Sequence, residues 1–137
     1  MSLARYLAFP LALFGITAPS SAQSANEAAD VRINQSIMLG DLRVTPIAVL
    51  RDTRCVTDES STCFTPGVAV IRFLVERNGK TGWIDVQSGS FARWQDLALA
   101  VTETLPARPA RLRSVAISPE AYRFSVRRFP ADVQLLE

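Results

Sequence analysis

The chain has 137 residues and no histidine. Histidine is the commonest general base and the commonest transition-metal ligand. Its absence excludes Ser-His and Cys-His nucleophile pairs, two-histidine zinc sites and most copper sites. Lysine is nearly absent too: of 15 basic residues, only Lys80 is not arginine. Cysteine is limited to Cys55 and Cys63. Two thiolates without histidine are too few for a zinc site, and their spacing is not that of a Cys-x-x-Cys redox pair. No apolar run approaches the roughly 20 residues of a membrane-spanning helix. The N-terminal apolar run, Tyr6 to Ala18, also holds Pro10 and Gly15. Internal repeats and low-complexity tracts are missing as well. With Lys+Arg 15 against Asp+Glu 13, the chain lacks the strong positive charge of a general nucleic-acid binder.

What is present begins with an export signal. Arg5 supplies a positive start, Tyr6 to Ala18 the apolar core, and Ser20-Ser21-Ala22 the small residues of a cleavage site. This pattern predicts a signal peptide over 1–22, cut after Ala22. No cysteine near the cut could carry a lipid, and there is no twin arginine. The expectation is Sec-type export to a periplasm or the extracellular space, as a soluble chain without a transmembrane segment. Residues 23–30 are small and polar and read as a disordered leader. Residues 31–137 are enough for one domain with one core. In an oxidising compartment, an even pair of cysteines at short range predicts a Cys55–Cys63 disulfide.

From Val31 onward, short apolar runs are separated by turn residues. Strands are predicted near 31–38, 42–50, 67–77, 81–87, 96–104, 111–117 and 121–129. Such regular short strands imply an all-β fold, an immunoglobulin-like antiparallel β-sandwich of about seven strands. The sharpest local signal is Arg77-Asn78-Gly79-Lys80. Asn-Gly supplies the two positive-φ residues of a type I′ hairpin turn. Pairing Arg77 with Lys80 sets Phe73 against Ile84, Ile71 against Val86, Leu74 against Trp83 and Arg72 against Asp85. Apolar residues then meet apolar ones and opposite charges meet. Phe91 to Leu105 is ambiguous: Phe91, Trp94, Ala98, Val101 and Leu105 fit a helix, whereas Leu97, Leu99 and Val101 alternate as in a strand. The β neighbours decide for strand over 96–104. Tyr122 follows Ser118-Pro119-Glu120-Ala121 and is either a tyrosine corner, bonding back to the chain, or an ordinary core residue.

Asp52-Thr53-Arg54-Cys55, followed by Cys63-Phe64-Thr65-Pro66-Gly67, resembles a group of small bacterial exported proteins and lipoproteins. That group carries an Asp-Ser-Arg-Cys-Pro stretch, then a second cysteine, a Trp-Ala-Gly and a hydrophobic strand. The flanks also agree: Leu42 to Leu50 leads into the aspartate, Val68 to Val75 follows the glycine, and Tyr122 opens a last strand. Here Thr53 stands for serine, Val56 for proline and Phe64-Thr65-Pro66 for the tryptophan segment. The resemblance implies export and a disulfide-bearing β-sandwich, and adds no activity.

Candidate sites are few. Asp58 and Glu59, with Asp52 nearby and Ser60, Ser61 and Thr62 following, have the donors of a Ca²⁺ site or an acid–base pair. They equally describe a solvated loop tip, the simpler reading. Asp52 and Arg54 are expected to act structurally, the aspartate capping the next turn and the arginine bridging to a carboxylate. Trp83 and Trp94 suit sugar stacking or, more commonly, a core or half-core position. Residues 108–129 carry Arg108, Arg111, Arg113, Arg123, Arg127 and Arg128 against Glu120 alone. If the last two predicted strands are neighbours, Arg108, Arg111, Arg113, Arg123 and Arg127 form one basic face for a lipid phosphate, an acidic glycan or an acidic protein. The expected function is a non-enzymatic extracytoplasmic binding or structural module with an anionic envelope partner and no cofactor. The alternative is a small hydrolase with two of Asp52, Asp58, Glu59, Asp85 and Asp96 converging in a cleft.

Overall fold

The computed structural model describes residues 27–132 and Gly15. The signal segment with its cut after Ala22, and the start of the expected leader, otherwise lie outside the described residues. The described chain is all-β. Its strands are β1 (Ala28–Arg32), β2 (Ile37–Leu39), β3 (Leu42–Asp52), β4 (Ala69–Arg77), β5 (Lys80–Gln87), β6 (Phe91–Trp94), β7 (Leu97–Leu105) and β8 (Arg123–Pro130). Single 3-10 turns lie at Ala110–Leu112 and Pro119–Ala121. Among the described residues no helix is long and apolar enough to cross a membrane.

The strands form two four-stranded antiparallel sheets, ordered β1-β8-β7-β6 and β2-β3-β4-β5. The sandwich expected from the strand spacing is therefore present. Its connectivity is a meander in which successive strands are neighbours except at β1–β2 and β5–β6, where the chain crosses between sheets, without the Greek-key connections of immunoglobulin domains. The core lies between the sheets. Phe73 of β4 meets Phe124 of β8 edge to face at 6.4 Å. Around them Ile71, Val75, Val86, Leu99, Val101 and Val126 are almost wholly buried. In β5 these core side chains alternate with exposed residues such as Asp85 and Gln87, as a half-buried pleat requires.

The β4–β5 hairpin has the register expected from Asn-Gly, including Phe73 opposite Ile84 and Arg72 opposite Asp85. Asn78 and Gly79 both take positive φ, 51° and 74°, and the Arg72 guanidinium holds Asp85 in two bonds of 2.9 and 3.0 Å.

Four expectations are corrected. The stretch 31–38 is two strands in different sheets, because Asn34 turns at φ 62° and donates its N–H to the Pro46 carbonyl. The leader expected over 23–30 gives way to strand from Ala28, which pairs with Arg127. Phe91–Trp94 is a strand of its own, turned into β7 by Gln95 at φ 56°. The stretch 111–117 is not a strand. β8 already pairs with β7 and β1, and Arg108 draws the carbonyls of Arg113 and Val115 inward.

Candidate functional site

β3 ends at Asp52, whose carboxylate is 5 % exposed. Arg54 folds back on it, with Nε at 2.9 Å, Nη2 at 2.8 Å and its backbone N–H at 3.2 Å. The Tyr122 hydroxyl donates to the same carboxylate at 2.8 Å, and Arg108 Nη1 lies 3.1 Å away. The tyrosine thus bonds to a side chain and not to the backbone, as a tyrosine corner would. Burial would raise the Asp52 pKa, but the bonds from Arg54 and Tyr122 and the Arg54 charge outweigh it and hold it at about 2. Burial and the bond to Asp52 push the Tyr122 phenol up to about 12. A carboxylate offers about four acceptor sites, so the four hydrogen bonds from Arg54 and Tyr122 leave this one saturated. It is a fixed anion that holds three chain segments together, in line with the structural role expected for Asp52 and Arg54.

The second set of contacts fixes the loops beyond it. Arg54 Nη1 reaches the Thr104 carbonyl at 2.6 Å, tying β3 to β7 in the other sheet. Cys55 and Cys63 form the expected disulfide. Gly67, at φ +63°, packs so closely on the Thr53 carbonyl that any Cβ would collide with it. Asp58 accepts from Ser60 and Ser61 within the disulfide loop and from the Arg111 N–H at 3.0 Å. The Arg111 N–H, outweighing partial burial and aided by Ser60 and Ser61, lowers the Asp58 pKa to about 2. Of the five carboxylates weighed for hydrolysis, four have separate partners, Asp52 the Arg54 cluster, Asp58 its loop, Asp85 Arg72 and Asp96 Arg77, and Glu59 makes no side-chain hydrogen bond or ion pair among the described residues. Among the described residues no three His, Cys, Asp or Glu side chains gather as metal ligands.

The five arginines expected on one basic face are dispersed. Arg108 is buried, held by Asp52 and by the carbonyls of Arg113 and Val115. Arg111 and Arg113 are exposed on the 3-10 turn beside the disulfide loop, and Arg123 and Arg127 are exposed on β8. The face failed to form because 111–117 did not become a strand. Trp94 is half-buried, its indole lying where a Cβ on Gly82 would be. Trp83 is 60 % exposed on the outer face of β5, outside the core position expected of it.

A different arginine site arises on the outer face of β6, β7 and β8. Leu97, Leu99 and Val101 of β7 belong to the core, so Ala98 and Ala100 point outward. Ala98 is flanked by Arg93 of β6 and Phe129 of β8, and Ala100 by Phe91 and Arg127. Each wall of the resulting trough therefore carries one phenylalanine and one arginine, arranged diagonally. The Arg127 guanidinium sits 4.9 Å from the Phe129 ring centre and Arg93 5.9 Å from that of Phe91. Phe91, Ala100 and Phe129 line an open cavity of about 640 Å³. Both arginines are exposed, and neither forms an ion pair among the described residues. Asp30 and Glu103 flank Ser125 further along β8. Sequence reading reached Arg127 but missed Arg93, Phe91 and Phe129, because only the three-strand register joins them. No protein-family model, curated protein or solved structure matches the chain.

Proposed function

We propose that the chain is an exported, non-enzymatic binding module whose partner is an anionic component of the cell envelope. The observation that carries this reading is the trough between β6 and β8. A guanidinium stacked on a ring keeps its in-plane N–H groups available for bidentate contact with a carboxylate or phosphate. The rings beside it offer apolar faces to the carbon skeleton bearing that anion. Export is supported by the sequence of residues 1–22 and by a disulfide, which persists in oxidising compartments. Membership of the exported Asp-Ser-Arg-Cys-Pro group belongs to the same proposal and is supported by the motif around Cys55.

Retention on immobilised anionic polysaccharide tests the reading. The native protein should be retained at low salt and released as ionic strength shortens the Debye length below about 10 Å. Arg93→Glu with Arg127→Glu should abolish retention, and Arg111→Glu with Arg113→Glu should leave it largely intact. Equal retention of the native protein and the Arg93/Arg127 double variant would remove the trough from consideration.

A further inference from the structure

We propose a second binding site, separate from the trough and independent of it, for a small molecule with a compact apolar body and one carboxylate. The site is the cleft between the end of β3 and the segment around 116–122. β3 loses register with β4 between Pro46 and Ala48 and again between Val49 and Arg51. Two bulges in so short a stretch bend the strand and increase its twist. The cleft beside them has a volume of about 390 Å³. Ile47, Val49 and Leu50 form one wall, and Ile117 and Pro119 are on the other side. Asp52, Arg108 and Tyr122 also line it. Apolar walls with a few convergent polar groups are the ordinary make-up of a small-ligand site.

The charge of the polar groups selects the ligand. Arg54 and Arg108 are 13 % and 10 % exposed and share the single buried carboxylate of Asp52. The cluster therefore carries one surplus positive charge in a poorly hydrated place. Asp52 has no acceptor capacity left, and Tyr122 already donates its proton to it. Arg108 has five N–H donors, of which three make hydrogen bonds, to the carbonyls of Asp52, Arg113 and Val115, while its Nη1 also lies 3.1 Å from the Asp52 carboxylate. The donor capacity left on Arg108 and the surplus charge both favour an anion. Cationic ligands meet the same surplus as repulsion, and neutral ones leave it uncompensated. A cavity of about 150 Å³ holds benzene, so this cleft admits an apolar body of that order together with its head group.

Titration calorimetry with octanoate, octanol and octylammonium on the disulfide-bonded protein tests the proposal. Octanoate should bind saturably, at least tenfold more tightly than either of the others. Leu50→Glu, at a half-exposed wall position, should weaken octanoate at least tenfold, and Ile47→Trp should fill the cleft with the same effect. Arg93→Glu with Arg127→Glu should leave the affinity unchanged. Absence of saturable binding overturns the proposal, as does equal affinity for octanoate and octylammonium. Loss of binding in the Arg93/Arg127 variant also overturns it, by placing the ligand in the trough.

Discussion

At the scale of single residues, the protein's buried charges are concentrated around Asp52. Four hydrogen bonds and the Arg108 guanidinium converge on a carboxylate that is almost fully enclosed. Its pKa is depressed from 3.8 to about 2, so the unfolded chain takes up the proton first as pH falls. The associated stabilisation is complete above about pH 4 and is lost as pH falls through about 2. A shift of this size corresponds to about 2 kcal/mol. Asp41 and Asp58 are depressed in the same direction and add to the same acid limb. Replacing Asp52 with Asn should cost about 3–5 kcal/mol at neutral pH, because Arg54 and Arg108 are left buried without their anion. It should also flatten the loss of stability between pH 4 and pH 2. Urea unfolding of both proteins at pH 7 and pH 3 reads the two effects. Native-like stability of Asp52→Asn at pH 7 would show that the cluster is not what holds these segments.

At the scale of elements, the disulfide closes a loop that the Asp58 carboxylate and the Gly67 turn already shape. The bridged cysteines are 8 residues apart in sequence, for which loop-closure entropy gives roughly 2.5 kcal/mol. Cys55→Ser with Cys63→Ser should therefore lower stability by about that amount and leave the sheets intact, since the backbone bonds Thr53 to Val68 and Cys55 to Pro66 remain. Denaturant unfolding gives the first quantity, and amide exchange protection in β4 and β7 tests the second. Thiol labelling of the unreduced, denatured native protein should find no reactive cysteine. The β4–β5 hairpin was legible to its last pair, because Asn-Gly and the alternating side chains both demand the same register. β6 was not, since the positive-φ position of its turn is filled by Gln95 rather than Gly or Asn.

Across the whole molecule, arginine clamps join the two sheets at both ends of β3. At one end Arg54 reaches from β3 to β7. At the other, Arg128 of β8 bonds Asp41 and the Leu39 carbonyl at 2.6 Å each, while Arg77 of β4 bonds Asp41 and Asp96. The Arg77 and Arg128 bonds hold the Asp41 pKa at about 2. Asp41 and Asp96 are well exposed, so this outer clamp should be worth only about 1 kcal/mol and weaken with salt. A double-mutant cycle of Arg128→Ala and Asp41→Ala, run at low and high ionic strength, measures it. A salt-independent coupling of several kcal/mol would contradict the exposed geometry.

The amino-acid sequence by itself determined the all-β class, the disulfide and the β4–β5 register, because each depends on neighbours close in the chain or on a period of two along it. It also marked Asp52 and Arg54 as structural, since they lie two residues apart at a strand end. Tertiary structure alone decided the rest. The 111–117 segment alternates like a strand, yet no ladder position was open to it and Arg108 pulled it inward. That one event removed the basic face suggested by five arginines. The trough came from a register spanning β6, β7 and β8, where residues more than thirty positions apart in sequence become lateral neighbours. The surplus charge beside the β3 cleft arose in the same way, from Arg54 and Arg108 meeting one buried carboxylate that a linear reading assigns to only one of them.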